Sequence, residues 1–198
     1  MTFTDDHKLD AQLASAAKHD TEAFAELYEK YVRRIYAFIR YRISATNEEV
    51  EDLVAEVFMK VVDKLGQFDD TKGNFASWLF TIAGNHLRDR FRKKTVSTVS
   101  LDDTAELPSG DKPQLQQLLQ QDERQRLQEA ISTLPEREQE LIALKYGSGY
   151  NNRQIAEIVG LSSENVGVIL FRSLKLIRSL VQTSANSAGL PKEGGNYG

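Results

Sequence analysis

A helical spacing of apolar residues recurs along this chain and limits the folds open to it more than any other feature. In residues 51–65, EDLVAEVFMKVVDKL, the apolar side chains follow the i, i+3, i+4, i+7 spacing of one buried helical stripe. This spacing predicts that Val62 belongs to the buried stripe. The same spacing runs through residues 21–42 and again through residues 75–92. No stretch alternates polar and apolar residues long enough to predict a strand. The sequence therefore predicts an all-α protein.

The helical segments divide into two small domains. Residues 1–94 form the first, and residues 114–181 form the second. Between them, residues 95–113 lack helical periodicity and are rich in Ser, Thr, Asp and Pro, which predicts a flexible linker. Residues 182–198 offer almost nothing to bury, and we expect a disordered tail there.

Composition excludes several classes of function. The chain has no Cys, so disulfides and thiolate metal sites are excluded. Its histidines, His7, His19 and His86, have no ligand spacing, and we expect no metal and no cofactor. No apolar run approaches the length of a membrane span, and the first twenty residues lack a signal peptide. We therefore expect a cytoplasmic protein with no direct membrane insertion.

Residues 152–178 carry the features of a helix-turn-helix. Gly160 can adopt the positive φ of the turn, Ser162 suits the N-cap of the next helix, and the small Ala156 lets the two helices approach closely. A helical hairpin that merely packs is the alternative, but all these features fit a DNA-binding unit together. The candidate DNA contacts of the second helix are Ser163, Glu164, Gly167, Val168, Phe171, Arg172 and Lys175.

Charge is distributed unevenly, although the net charge is only −4. Residues 48–56 contain five acids and no base, whereas residues 86–94 contain five Lys or Arg and one acid. Phe80 lies off the core stripe of the same basic helix, so we expect it to be exposed. An exposed aromatic beside Arg88 and Arg92 suits single-stranded nucleic acid, because bases stack on the ring and phosphates meet the cations.

The acidic helix contains one apolar residue in an unexpected place. At 100° per residue, Met59 points away from the buried stripe, toward Asp52, Ala55 and Glu56. A solvated acidic face would explain the acids but not the methionine. The pattern raises the question of why a soluble helix carries a large apolar side chain among acids on its outer face.

The order of these motifs resembles that of a bacterial sigma factor of the sigma-70 family, in the extracytoplasmic-function (ECF) group. The segments AFAELYEKYVRRIYAF, DLVAEVFMKVV, GNFASWLFTIAGNHLRDRFRKK and LPEREQELIALKYGSGYNNRQIAEIVGLSSENV are similar to regions 2.1, 2.2, 2.3–2.4 and 4 of that family. Together they cover most of residues 21–181.

The resemblance implies a dissociable subunit of RNA polymerase rather than an enzyme. It implies that Asp52, Ala55, Glu56 and Met59 dock on the clamp helices of the polymerase β′ subunit. It further implies that the second domain contacts the β flap and reads the −35 promoter element. The residues implied for the melted −10 element are Phe80, Asn85, Arg88 and Arg92. An anti-sigma factor is a further expected partner.

This chain departs from the family pattern at a few positions. Ala55 stands where the family usually has Gln, and Gly167, Ile169 and Phe171 stand where it often has Lys, Arg and His. We therefore expect few phosphate contacts from the recognition helix.

Three other functions remain open at this stage. The first is an autonomous helix-turn-helix regulator that binds duplex DNA without polymerase, which would leave Met59 and the basic helix unused. A helical enzyme and a pure protein-interaction adaptor are the others, and no pairing of a nucleophile with a base supports the former.

Overall fold

The computed structural model describes residues 3–97 and 123–188, and within these ranges the chain is helical with no strand. The helices are α1 (Phe3–Ala16), α2 (Thr21–Arg42), α3 (Asn47–Lys64), α4 (Phe75–Ser97), α5 (123–132), α6 (Glu136–Ile142), α7 (Asn152–Val159) and α8 (Ser163–Ala188). A 3-10 turn, Leu65–Gln67, follows α3, and α6 continues into a π-helical turn, Ala143–Gly147. The all-α prediction is confirmed. We call α1–α4 the first domain and α5–α8 the second domain.

Side-chain caps fix where the helices begin. Thr46 and Glu49 form a reciprocal capping box at the start of α3, as their spacing predicts. Asn151 and Gln154 form another at the start of α7. Each box satisfies backbone N–H groups that have no partner within the helix, so these ends are well determined.

The core of the first domain surrounds α2. Leu27, Ile35 and Ile39 of α2 are buried, and the Tyr31 ring packs edge-on against Phe75 at 5.5 Å. Rings that meet edge to face gain about 0.5–1.5 kcal/mol beyond the area they bury. This aromatic packing holds α4 against α2.

Helix α1 belongs to this core, although the sequence pattern does not predict it. Asp10 of α1 is buried, and its carboxylate accepts hydrogen bonds from Tyr31 Oη and Lys30 Nζ, both at 2.6 Å. A buried carboxylate needs such partners because burial removes its hydration. Asp10 therefore anchors α1 to α2, an attachment that the sparse apolar residues of α1 do not reveal.

Two predicted boundaries are wrong. Helix α4 continues to Ser97, so residues 95–97 are helical rather than part of a linker beginning at 95. Helix α8 continues to Ala188, so residues 182–188 do not belong to a disordered tail. The remainder of the predicted linker, 98–113, and of the tail, 189–198, lies outside the described residues.

The two domains pack against each other through the π-helical turn. Gly147 lies so close to α2 that an added Cβ would stand 2.9 Å from the Ala37 carbonyl oxygen. Next to it, Ser148 Oγ donates to the Arg34 carbonyl oxygen at 2.9 Å. The absence of a side chain at Gly147 therefore permits backbone contact between the domains.

Other contacts extend this interface on both sides of the turn. Ser77 Oγ of α4 donates to the Ile158 carbonyl oxygen at the end of α7, at 2.7 Å. Gln128 Nε2 of α5 donates to the Tyr41 carbonyl oxygen at 3.0 Å. These bonds join side chains to backbone carbonyls across the interface and stabilise the closed arrangement of the two domains.

Candidate protein and nucleic-acid interfaces

The outward face of α3 combines acids with exposed apolar side chains. Met59 is 60% exposed, and Asp52, Ala55 and Glu56 are exposed beside it, so the predicted orientation of Met59 is confirmed. We call these four residues together with Val62 the α3 outer face.

The assignment of Val62 to the buried stripe is wrong, because this side chain is 53% exposed. It follows Met59 by three residues, so the two lie on neighbouring turns of one surface. Val61 and Val57 already fill the space between α3 and its neighbours, and Val62 is rotated about 100° from Val61. The apolar part of the α3 outer face is therefore larger than the sequence indicates.

One member of the α3 outer face has partners across the α3–α4 contact. Glu56 Oε2 lies 2.6 Å from Nε2 of His86 on α4, and Lys60 Nζ lies 2.7 Å from the other ring nitrogen, Nδ1. His86 is buried. Burial, with the nearby charge of Lys60, lowers the pKa of His86, although Glu56 acts in the opposite direction.

The basic end of α4 is exposed but engaged in ion pairs. Arg88 Nε donates to Glu136 Oε1 of the second domain at 2.7 Å, and Arg88 Nη1 donates to Asn85 Oδ1 at 2.7 Å. The bond from Arg88 holds the pKa of Glu136 below its ordinary value and raises that of Arg88. Arg92 pairs with Asp89 on its own helix at 3.2 Å. The second domain thus occupies one of the predicted DNA contacts.

The prediction that Phe80 is exposed is wrong. Its side chain is fully buried, between the Phe38 ring of α2 at 5.1 Å and the Tyr150 ring of the second domain at 5.6 Å. Helix α4 is covered on two sides, by α2 and by the second domain, so a residue off its main stripe is still internal. As arranged here, Phe80 cannot stack on a nucleic-acid base.

Arg42 is a buried cation that sequence reasoning missed. Its Nη2 lies 3.4 Å from Glu136 Oε1, and its Nε has no hydrogen-bond partner among the described residues. Burial lowers the pKa of Arg42. Arg42, Arg88 and Glu136 line a cavity of about 610 Å³ between the domains, with Phe91 and Gln128 on its other walls. No local pattern could find this group, because its members lie on three helices.

The helix-turn-helix forms as predicted. Gly160 ends α7 with φ 70° in the left-handed region, and Asn165 N donates to Ser162 Oγ at 3.2 Å at the start of α8. Ala156 of α7 and Val166 of α8 are both buried in the core. This geometry projects the outward face of α8 into solvent.

Apolar side chains dominate the centre of that outward face. Phe171 is 71% exposed, and Val168 is also exposed one turn before it. Glu164, Arg172 and Lys175 are exposed around them. The recognition helix therefore presents a largely apolar surface with cations at its edge.

Two of the predicted DNA-contacting residues are less exposed than expected. Ser163 and Gly167 are half-buried, and a Cβ added to Gly167 would stand 3.4 Å from Asn152 Nδ2 of α7. The placement of Gly167 on the exposed face is therefore only partly correct, because that position faces the preceding helix.

The part of the chain that the structure describes holds neither a candidate metal cluster nor a single membrane-spanning helix. No group of three or more His, Asp or Glu side chains there is placed to hold a metal ion. No single described helix is long and apolar enough to cross a membrane. The helix pair Asn152–Val159 and Ser163–Thr183, bent by 104°, resembles a broken span in length and composition only.

Family models match both domains. The sigma-70 region 2 model matches residues 27–96, and the sigma-70 region 4 model matches residues 124–177. The chain belongs to the sigma-70 family of RNA polymerase sigma factors.

Named relatives agree with this assignment. The chain is 25% identical over 170 residues to the ECF RNA polymerase sigma factor BldN of Streptomyces coelicolor, a match that covers 84% of this chain and 63% of BldN. It is 28% identical over 181 residues to the ECF RNA polymerase sigma factor SigK of Mycolicibacterium vanbaalenii, with 87% of each chain covered.

Solved structures share the fold. CnrH, in complex with the cytosolic domain of CnrY, matches with a TM-score of 0.60 at 23% identity, covering 90% of this chain and 97% of CnrH. The sigma factor RpoE, in complex with the anti-sigma factor NepR from Bartonella quintana, matches with a TM-score of 0.54 at 23% identity, covering 80% of this chain and 96% of RpoE.

Proposed function

We propose that this chain is a dissociable specificity subunit that binds core RNA polymerase and directs initiation at particular promoters, and that it is not an enzyme. The observation that carries the proposal is the α3 outer face, on which Met59 and Val62 are exposed among acids. A regulator that binds duplex DNA alone has no use for such a face. A polymerase subunit needs it.

The α3 outer face is the proposed polymerase-binding surface. Asp52 and Glu56 supply negative charge that complements basic residues of the β′ clamp helices, which favours correct encounter and orientation. Met59 and Val62 supply the apolar area that leaves water on docking. Ala55, where the family usually has Gln, contributes little contact of its own.

The outward face of α8 is the proposed −35 reader. Val168 and Phe171 are exposed where the helix would enter the major groove, and apolar side chains there suit thymine methyl groups. Arg172 and Lys175 are placed to meet phosphates, which position the protein without carrying sequence information. We expect a −35 element read with weight on thymines.

The basic end of α4 is the proposed contact for melted −10 bases, through Asn85, Arg88 and Arg92. Arg88 is bound to Glu136 in the present arrangement, so this contact requires the second domain to move away from α4. Phe80 is not part of the proposal, because it is a core residue. The ECF resemblance adds an anti-sigma factor as a third kind of partner.

Co-purification with core polymerase tests the proposal through the α3 outer face. Asp52→Lys and Met59→Glu should retain the helical circular dichroism of the wild type, because both positions face solvent, and should lose polymerase. Glu26→Lys, an exposed acid of α2, is a matched control that should bind normally. Wild-type binding by both α3 variants would contradict the proposed surface.

A gel shift on promoter DNA separates this function from an autonomous regulator. We expect a specific complex only when core polymerase is present. A complex of equal specificity and affinity without polymerase would favour the regulator, which needs only the helix-turn-helix.

A further inference from the structure

A groove of about 440 Å³ lies between α2 and α3, beside the α3 outer face. Its walls include Tyr28, Val32 and Tyr36 of α2, and Val54 and Ala55 of α3. Val54 is buried, whereas Tyr28 is 40% exposed. Since Ala55 belongs both to this groove and to the α3 outer face, the two form one continuous surface. We call this feature the α2–α3 groove.

The aromatic side chains that line the α2–α3 groove are held in place by other residues of the first domain. The Tyr28 ring packs edge-on against the buried Phe58 ring, with the two centroids 4.7 Å apart. Tyr36 Oη donates to Asn47 Oδ1 at 3.2 Å. Side chains fixed in this way need little ordering when a partner contacts them, which favours binding. The α2–α3 groove is therefore a preformed and largely apolar site.

The small side chain at position 55 leaves the α2–α3 groove open. A helical side chain leans toward the amino-terminal end of its helix and covers the turn before it. A longer side chain at position 55 would therefore extend over Glu51, which lies one turn earlier and also lines the groove. The Ala55 methyl group is too short to do so, and the opening beside it stays clear.

A partner that covers the α3 outer face also reaches the α2–α3 groove. Met59 lies one helical turn from Ala55, so a partner helix lying along α3 places side chains over both positions. Glu51 is exposed at the groove and extends the acidic charge of the α3 outer face, which complements a basic helix. Arg33, on the α2 side, suits an acidic residue of the same helix. The groove between these two charges fits a large apolar side chain.

We propose that the α2–α3 groove receives a large apolar side chain of core polymerase, and that the small side chain of Ala55 admits it. The inference rests on the proposed function. It makes Ala55 a specificity-determining residue, because this position contributes space rather than contact.

Substitutions at position 55 test the proposal through the affinity for core polymerase. Ala55→Gln should weaken binding roughly 10- to 150-fold, the effect of leaving one large apolar side chain in water rather than buried. Ala55→Ser, which keeps the groove open, is the matched control and should bind like the wild type. Both variants should keep the wild-type thermal unfolding, because position 55 is exposed. Unchanged or tighter binding by Ala55→Gln would overturn the proposal.

Cysteine labelling tests whether polymerase covers the groove itself. The chain has no native cysteine, so Arg33→Cys on the α2 side of the groove and Val62→Cys on the α3 outer face each provide one maleimide-reactive site. We expect saturating core polymerase to protect both cysteines from the reagent. Ser179→Cys, at an exposed position of the second domain, is the control and should react at the same rate with and without polymerase.

The labelling result separates the groove from the α3 outer face. Protection of both cysteines, together with weakened binding by Ala55→Gln, is the result we expect. Protection of Val62→Cys without protection of Arg33→Cys would overturn the groove proposal and leave the proposed function intact. Unprotected cysteines at both positions, in chains that still co-purify with polymerase, would contradict the polymerase surface on α3 and the groove proposal with it.

Discussion

Replacing Tyr150 by alanine should loosen the contact between the two domains. The Tyr150 ring is buried at the interface, with the Phe80 ring centroid 5.6 Å away, edge-on at 83°, and the Arg34 guanidinium carbon 4.8 Å from its own centroid. An edge-to-face aromatic pair contributes about 0.5–1.5 kcal/mol, and a cation–π contact about 0.5–2 kcal/mol. Together they favour the closed arrangement by about 1–3.5 kcal/mol, roughly a 5- to 400-fold effect on the closed-to-open ratio.

Energy transfer between two dyes measures this opening directly. The chain has no native cysteine, so Glu26→Cys and Ser179→Cys, both at exposed positions of different domains, provide unique labelling sites. We expect Tyr150→Ala to increase the population with long dye separations. Tyr146→Ala, which removes a 46% exposed tyrosine of the same segment, is the matched control and should leave the distribution unchanged.

The opening should also affect DNA capture. A protein whose competent state is rarely populated binds with an apparent affinity reduced by that fraction. Since Arg88 is engaged by Glu136 in the closed arrangement, Tyr150→Ala should bind single-stranded −10 DNA more tightly than the wild type.

Wild-type dye distances in a folded Tyr150→Ala variant would contradict a role of this ring in holding the domains together. Gly147→Ala provides an independent perturbation, because its new Cβ would stand 2.9 Å from the Ala37 carbonyl oxygen without removing any core side chain. It too should open the domains. Closed distances in both variants would refute the account of the interface.

Three further predictions concern the recognition helix, its turn and the domain contact. Phe171→Ala should relax sequence preference at one or two −35 base pairs by about 1–3 kcal/mol, whereas Arg172→Ala should weaken binding to all sequences alike and reduce its salt dependence. Promoter-library transcription at two salt concentrations compares the two variants. An unchanged sequence profile for Phe171→Ala would exclude direct readout by this side chain. Gly160→Ala should lower the free energy of unfolding by about 1–2 kcal/mol, since φ 70° strains any side chain; a urea titration that finds no change would contradict this. The bond from Arg88 lowers the pKa of Glu136, so the Glu136 carboxylate stabilises the domain contact fully above the ordinary Glu pKa of about 4.3 and loses this effect as the pH falls through the lowered pKa. Dye separations should therefore increase in that pH window. Glu136→Gln should remove this pH response.

Local contacts made much of the second domain predictable. The αL turn at Gly160, the Ser162 cap and the small Ala156 lie within a few residues of what they contact, so their spacing alone predicts the helix-turn-helix. The outward orientation of Met59 was predictable for the same reason, since helical periodicity determines it. Each of these features depends only on one helix or one turn.

The errors arise where the environment of a residue comes from distant parts of the chain. Periodicity assigns one buried face to a helix, but α4 is covered both by α2 and by Tyr150, so Phe80 is internal. Glu136 reaches Arg88 from 48 residues away in the chain, and no local pattern signals such a pair. Val62 shows the opposite case: an apolar residue at the edge of a stripe can stay exposed when its neighbours already fill the available space.

Run-off transcription with core polymerase on a genomic DNA library tests the central claim most directly. We expect discrete start sites, with a shared element upstream of each, only when core polymerase and this chain are both present. Met59→Glu should abolish those transcripts although its fold is unchanged. The same start sites from core polymerase alone, or full activity of Met59→Glu, would contradict the assignment of this chain as a promoter-specificity subunit that docks through α3.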